Sequence, residues 1–120
     1  MNTGVETRMS DQLARYLDLA TSQAKLTAAN MANIDTPGYR TEDFDFRSEL
    51  QRAVSNEGDI QAQPAMHKVS GLAARPDGNN VNLDREGMAL AETQMQFRIG
   101  VQLIRSEFHR LMTAINEGGK

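Results

Sequence analysis

Two asparagines, Asn30 and Asn33, are the side chains whose type and spacing most clearly predict specific hydrogen bonding. Asparagine is a mediocre helix former, and two of them three residues apart lie on one face of the last turn of a helix. Their side-chain amides offer more donors and acceptors than helix capping alone uses. We therefore expect Asn30 and Asn33 to bond groups outside the helix that carries them.

Catalytic chemistry has few candidates in this sequence. His67 and His109 lie in unrelated contexts, and the chain has no cysteine. No grouping of serine, histidine and an acidic residue is present, and no glycine-rich phosphate loop. The sequence therefore predicts a protein that is not an enzyme, without catalytic residues or a cofactor, in which His109 lies on a helix surface and His67 in a loop.

Asp77, Asn79 and Glu86 invite comparison with a calcium-binding loop. Such a loop needs an oxygen ligand at its fifth position, where Val81 stands, and its glycine is also misplaced. We therefore predict no metal site.

The composition limits the classes of protein to consider. Of the 120 residues, 39% are hydrophobic and 5% aromatic, which is little for a self-sufficient packed core. The net charge is −3 and the acidic excess lies between residues 41 and 80, so no basic stripe exists to neutralise nucleic acid phosphates. No segment has the apolar length of a membrane span or the apolar core of a signal peptide, so export would need another route.

Pro37 and Gly38 predict the turn that ends the first helix. Proline lacks an amide proton and disfavours helical geometry at Thr36, whereas glycine accepts the positive φ of the third position in a type II turn. Upstream, no glycine or proline interrupts the chain from about Arg8 to Asn33, so we expect one long helix there. Its predicted apolar seam, with alternating spacings of four and three residues, consists of Leu13, Leu17, Ala20, Ala24, Thr27, Met31 and Ile34.

The middle of the chain, residues 41–76, is predicted to be irregular apart from one short helix. Apolar residues at helical spacing indicate that helix from about Phe46 to Ser55, with the acidic Asp43 and Asp45 at its amino terminus. Asn56 to Gly58 would end it. The segment from Asp59 to Arg75 is polar and has no clear period, so no structure is predicted for it.

A second turn, Pro76 to Asn80, precedes the second long helix. Val81 to Leu83 alternates as a short extended segment would, and Asp84 is the expected N-cap of a helix that reaches about Asn116. Gly100 lies beside the apolar seam, where it either allows close approach of another backbone or is merely tolerated. The predicted seam consists of Leu90, Gln94, Phe97, Val101, Ile104, Phe108, Leu111 and Ile115.

These elements predict a mainly α fold in which two long terminal helices form a coiled-coil-like pair, joined by an irregular middle region with a short helix and turns. We assign residues 1–40 and 77–120 to the helical coiled-coil domain and residues 41–76 to an inserted connecting region. One antiparallel pair would leave much apolar surface uncovered, so we expect other subunits to cover it, and repeated contacts that do not close generate a helical filament. The residues expected at this assembly seam are Leu13, Leu17, Met31, Ile34, Phe97, Val101, Ile104, Phe108, Leu111 and Ile115.

The segment from Ala29 to Tyr39 resembles the amino-terminal signature of bacterial flagellar rod, hook and hook-associated proteins, roughly A-N-x-A-N-x-x-T-P-G-Y. The residues that match this family motif are Asn30, Asn33, Thr36, Pro37, Gly38 and Tyr39.

The segment from Asp77 to Glu86, followed by Ala91, Glu92 and a long helix, is similar to the carboxy-terminal region of proximal rod proteins of the same family. Gly87 departs from this likeness, because a better helix former is expected there. The resemblance implies an all-α structural subunit of the flagellar basal-body rod, located in the periplasm after export by the flagellar type III apparatus. Its implied partners are copies of itself, other rod proteins, the basal-body membrane ring and the export gate, and it would transmit torque.

A soluble coiled-coil adaptor or export chaperone is the alternative function. Such a protein would sequester a helix of another protein, and it would form a stable, fully helical oligomer of low order. A labile monomer that polymerises would instead indicate a rod subunit. Size-exclusion chromatography with light scattering distinguishes the two.

Overall fold

The computed structural model describes residues 3–55 and 63–118, which form an elongated, mainly helical molecule with extents of 71 × 26 × 18 Å. Two long helices, α1 (Thr3–Ala32) and α3 (Leu83–Gly118), pack against each other. Between them lie a strand β1 (Glu42–Phe44), a short helix α2 (Phe46–Val54) and a strand β2 (Met66–Lys68). The predicted fold class is confirmed. No helix in the described part of the chain is long and apolar enough to cross a membrane.

The end of α1 follows the turn chemistry of the sequence. Tyr39 donates its backbone N–H to the carbonyl of Thr36 at 3.2 Å, and Gly38 has a φ of 75°. Positive φ at the third position and this hydrogen bond are the marks of a type II turn. The predicted turn at Pro37 and Gly38 is therefore confirmed, although α1 begins earlier than expected, at Thr3 rather than Arg8.

The start of α3 corrects the expected N-cap. The side-chain oxygen of Asn82 accepts the backbone N–H of Arg85 at 3.1 Å, and the helix already includes Leu83. An N-cap side chain bonds the backbone N–H three residues further on, so Asn82 and not Asp84 is the cap. The expectation that Leu83 belongs to an extended segment is wrong for the same reason.

The short helix α2 is confirmed, with Asp45 as its N-cap. The carboxylate of Asp45 accepts the backbone N–H of Ser48 at 3.1 Å and its hydroxyl at 2.8 Å. These bonds favour the ionised carboxylate, so they hold the pKa of Asp45 below its ordinary value. The expected end of this helix at residues 56–58 lies outside the described residues.

A two-stranded antiparallel sheet in the middle region was not predicted. Glu42, Asp43 and Phe44 of β1 pair with Lys68, His67 and Met66 of β2, respectively. His67 therefore lies on a strand and not in the loop that the sequence indicated. Each strand has three residues and all of β2 is exposed, so no apolar alternation marks it in the sequence.

The hydrophobic core lies where α1 meets β1 and α2. It consists of the buried Leu19, Leu26 and Phe44, with the partly buried Phe46 and Leu50 packed against them. The rings of Tyr16 and Phe46 meet edge to face with centroids 5.5 Å apart.

Beside this core, the buried carboxylate of Glu49 joins three parts of the chain. It lies 3.9 Å from the guanidinium of Arg15 on α1, pairs with Arg52 on α2, and accepts the backbone N–H of Ala65 at 3.0 Å.

The buried residues of α3 are polar or small rather than apolar: Glu86, Thr93 and Gly100 follow one another at intervals of seven. The predicted seam of α3 lies beside this stripe and is largely exposed, as at Val101 with 41% of its surface accessible. On α1, the fully buried Leu19 lies off the predicted seam. One apolar seam does not describe the buried surface of α1, because α1 contacts α3 as well as β1 and α2.

Gly100 marks a close approach of the two long helices. A Cβ atom built there would lie 2.6 Å from Cδ2 of Leu17 and 3.1 Å from a ring carbon of Tyr16. Gly100 is therefore a site of close approach, but the nearest atoms belong to side chains of α1 and not to the backbone that the sequence analysis expected.

Replacing Gly100 by leucine should therefore lower the free energy of unfolding by about 1–3 kcal/mol, because overpacking forces neighbouring side chains from their positions. Gly87→Leu is the matched control on the same helix, where a built Cβ has no atom of another part of the molecule within 4 Å. Urea denaturation followed by circular dichroism measures both. Equal losses in the two variants would contradict the role given to Gly100.

Candidate functional site

The two turns that the sequence singled out contact each other directly. Gly38 donates its backbone N–H to the carbonyl of Asp77 at 2.9 Å. A Cβ atom added to Gly78, whose φ is 87°, would lie 3.4 Å from the Cα of Gly38. Each glycine thus supplies a positive φ, and their backbones lie side by side. Turns 40 residues apart in sequence therefore form one structural unit.

Asn79 holds the end of α1 from the second turn. Its side-chain amide donates to the carbonyl oxygens of Asn33 and Thr36, both at 2.8 Å, and its side-chain oxygen accepts the N–H of Val81 at 2.9 Å. These carbonyls also accept the backbone N–H groups of Thr36 and Tyr39, so Asn79 adds a second bond to each and ties the turn after α1 to a distant part of the chain. Arg75 adds bonds from its guanidinium to the carbonyls of Ile34 and, at 3.1 Å, Val81.

Asn80 continues this contact toward β1. Its backbone N–H donates to the carbonyl of Tyr39 at 3.2 Å, and its side-chain oxygen accepts the N–H of Thr41 at 2.6 Å. The hydroxyl of Thr41 donates to the carbonyl of Asn80 at 3.3 Å. Asn79, Asn80 and Thr41 are all buried, so their polar groups depend on one another for hydrogen bonds.

The side-chain amide of Asn30 donates two hydrogen bonds and accepts two. Its Nδ2 donates to the carbonyl of Glu42 at 2.9 Å and to Oε1 of Glu86 at 3.2 Å. Its Oδ1 accepts the backbone N–H of Glu42 at 3.2 Å and the hydroxyl of Tyr39 at 2.8 Å. The amide therefore pairs with both backbone groups of Glu42, as a neighbouring strand would, and closes the free edge of β1. Burial raises the pKa of the Tyr39 hydroxyl, which keeps it protonated as a donor.

A buried carboxylate, Glu86, links Asn30 to α3. Glu86 has 0% of its surface exposed and accepts a bond from Nη1 of Arg85 at 2.9 Å. The same guanidinium donates from Nη2 to Oδ2 of Asp43 at 2.6 Å, and Gln23 on α1 donates to Oδ1 of Asp43 at 3.1 Å. Burying a carboxylate is costly unless it is paired and hydrogen-bonded. Arg85 and Asn30 both bond Oε1, whereas the buried Oε2 has no hydrogen-bond partner within the described structure.

These contacts form a polar clamp, by which we mean Asn30, Thr41, Asn79, Asn80 and Glu86 with their partners. The clamp fixes the end of α1, strand β1 and the start of α3 to one another. Most of its polar atoms bond one another, although Oε2 of Glu86 is buried without a hydrogen-bond partner among the described residues. The described residues hold no cluster of three or more metal-binding side chains.

The two motif asparagines have different roles. Asn30 bonds groups outside its helix, as predicted. The side chain of Asn33 instead donates to the carbonyl of Ala29 at 2.8 Å and accepts the hydroxyl of Thr36 at 2.9 Å, both local groups. The expectation of an external partner for the Asn33 side chain is therefore wrong, although its backbone carbonyl does bond Asn79.

Sequence reasoning missed four members of this site: Thr41, Asn79, Asn80 and Glu86. The sequence predicts the consecutive asparagines as turn formers, and Asn79 and Glu86 appear otherwise only as candidate ligands of a rejected calcium loop. Glu86 lies off the predicted seam of α3, so the apolar pattern gives no sign of its burial.

The predicted assembly seam is divided between two environments. Leu13 and Leu17 of α1 face Ile104, Phe108 and Leu111 of α3 across a groove of about 330 Å³ between the two helices. The other members lie elsewhere: Ile34 and Phe97 are half-buried, and Met31, Val101 and Ile115 are exposed.

Comparisons with known proteins agree on one relationship. No family model matches the chain. The flagellar basal body rod protein FlgB of Cereibacter sphaeroides is 34% identical over 125 residues, which cover 91% of this chain and 97% of that protein. FlgB of Salmonella typhimurium is 30% identical over 122 residues, covering 85% and 88% respectively. FlgB of Escherichia coli is 28% identical over the same shares of the two chains.

Replacing Asn30 by alanine should lower the free energy of unfolding by about 2–4 kcal/mol, because both partly buried backbone groups of Glu42 lose their partner and the buried carboxylate of Glu86 keeps only Arg85. Asn33→Ala is the matched control and should cost at most about 1 kcal/mol, since its side chain makes local bonds near the surface. Urea denaturation measures both changes. A loss at Asn33 as large as that at Asn30 would refute the clamp as the main function of the first asparagine.

Proposed function

Since the chain belongs to the FlgB family of flagellar basal body rod proteins, we propose that it is a structural, non-catalytic subunit of the proximal rod. In this role it assembles helically with copies of itself and with other rod proteins, and it transmits torque. The observation that carries this proposal is the apolar surface of the second half of α3. Exposed side chains there include Ile99, Val101, Leu103, Ile104, Phe108, Met112 and Ile115.

This surface needs a partner. Phe108 has 64% and Ile115 52% of its surface accessible, on a helix segment that is apolar on several sides. Exposed apolar side chains that are grouped on a surface mark a site of contact with another molecule. Each fully covered side chain of this size would contribute about 1.5–3 kcal/mol, so contacts with neighbouring subunits would stabilise an assembly strongly.

The polar clamp supports a mechanical role. It holds one end of the helix pair through bonds that join residues more than 40 positions apart, such as Asn79 to Asn33. Beyond the clamp, the molecule extends mainly as the two long helices, whose backbone hydrogen bonds lie within each helix. A subunit with a fixed helix angle can pass a twisting force to its neighbours without changing shape.

The small core agrees with export before assembly. Only three apolar residues form the buried cluster in the described part of the chain: Leu19, Leu26 and Phe44. A domain with little buried apolar area is marginally stable, so unfolding it for passage through the flagellar type III apparatus costs little. The proposed destination is the periplasmic rod, next to the membrane ring and the export gate.

Val101→Asp should stop rod growth while leaving the free subunit folded. The side chain is partly exposed in the single subunit, but in an assembly it would bury an unpaired charge in every copy, at a cost of several kcal/mol each. Ser106→Asp is the control, because it adds the same charge at an exposed position of the same helix outside the predicted seam. Motility assays and electron micrographs of basal bodies test the pair. Normal rods in the Val101→Asp strain would show that this part of the seam is not an intersubunit surface.

Replacing Pro37 and Gly38 together by alanine should reduce assembly more than expression. Alanine opposes a φ of 75° at position 38, and loss of the turn removes the contact of Gly38 with Asp77. The end of α1 would then lose its fixed angle to α3. Immunoblots of the subunit and motility of the strain measure the two effects, and wild-type motility would remove the turn from the functional features.

A further inference from the structure

A groove of about 540 Å³ lies between the first half of α3 and the corner formed by β1 and the start of α2. Phe44 and Phe46 provide an apolar side, and Asp84, Glu92 and Gln96 of α3 provide a polar one. We call it the acidic groove. It is separate from the groove between the two long helices, with which it shares no lining residue.

The acidic groove carries uncompensated negative charge. Its arginine, Arg85, is already paired with Asp43 and Glu86. Asp84 and Glu92 are exposed, and neither forms an ion pair with any residue in the described ranges. Gln96 adds an unsatisfied acceptor, because its side-chain oxygen is buried and has no hydrogen-bond donor within the described structure.

The second half of α3 carries the complementary groups. Arg98 and Arg105 are exposed and seven residues apart, and no ion pair holds either of them within residues 3–55 and 63–118. The exposed Val101 lies between them on the same side of the helix, and His109 follows four residues after Arg105. This side, from Arg98 to His109, is the basic face.

The two surfaces match in register. Asp84, Met88, Glu92 and Gln96 form a row at four-residue spacing, and each is 13 or 14 residues before a member of the basic face: Arg98, Val101, Arg105 and His109. A second copy that points in the same direction and is displaced by about 20 Å along α3 therefore brings all four pairs to the same level. Val101 then meets Met88, whose surface is 75% exposed, and His109 comes to the level of Gln96.

We propose that the basic face of one subunit docks in the acidic groove of the next copy. The inference rests on the proposed function and names one contact between copies of this chain. Glu92 and Arg98 lie about 120° apart around α3, so a subunit can use both surfaces at once. Contacts between two different surfaces, repeated with a constant displacement, extend into an open filament instead of closing into a dimer. The charge pairs would fix the register, since like charges meet if a copy slips.

Charge reversal tests the pairing in a strain whose only copy of the subunit is the variant. Glu92→Arg and Arg105→Glu should each reduce the number of basal bodies with rods at least tenfold, and the double variant with both changes should restore most of them. Asp18→Arg, an exposed charge reversal on α1, is the control and should leave rods intact. Normal rods in both single variants, or no recovery in the double variant, would overturn the proposal.

Chemical cross-linking gives a readout that does not depend on altered charges. Because the chain has no cysteine, Glu92→Cys with Arg105→Cys introduces two defined thiols. The two positions are about 20 Å apart within one copy, so a short bis-maleimide can join them only between copies. A ladder of linked subunits from isolated basal bodies supports the docking, and its absence contradicts it. If the wild-type chain itself built no rods in the deletion strain, the proposed function would be wrong instead.

Discussion

The pairing of the Asn30 side chain with both backbone groups of Glu42 is the constraint on which the rest of the structure depends. An amide side chain takes the place of a neighbouring strand and satisfies β1 on the edge that β2 does not cover. Because Asn30 lies on the last turn of α1, this pairing fixes the position of β1 beside α1. It thereby also fixes the position of Phe44 in the core. The third partner of the amide, Glu86, extends the same constraint to α3. Two helices and a strand thus share one side chain.

In this structure, the buried side chains of α3 are mostly polar, whereas its large apolar side chains are mostly exposed. Between α1 and α3 the buried stripe of α3 is Glu86, Thr93 and Gly100, which contributes specific bonds and close approach but little apolar area. Most of the large apolar side chains of α3 lie beside this stripe and stay accessible. A soluble globular domain would have placed them inside. In a subunit of a larger assembly they are available for neighbouring molecules, and the polar clamp keeps the fold intact before those neighbours arrive.

Local chemistry explains which parts of the structure could be predicted from the sequence. Pro37 with Gly38, and Asp45 before α2, act within four residues of their partners, so their roles follow from residue type alone. Asn82 and Asp84 are both good caps, and only the packing of α3 decides between them. The bonds of Asn79 and Asn80 to the other turn span about 40 residues, and a single sequence carries no sign of such a distance. The apolar heptads identified two long helices correctly, but a periodic pattern states that a face is apolar and not which surface covers it. The division into a helical domain and an inserted region stays a prediction.

The contact at Gly100 divides α3 into a part next to the polar clamp and a part that extends beyond the contact. On one side of this contact α3 is held by the polar clamp, and on the other side Ile115 lies about 22 Å further along the helix. A rotation of only about 10° at Gly100 would move Ile115 by about 4 Å, nearly the width of one side chain. The close contact of Gly100 with Leu17 and Tyr16 therefore determines where the exposed end of α3 lies relative to α1.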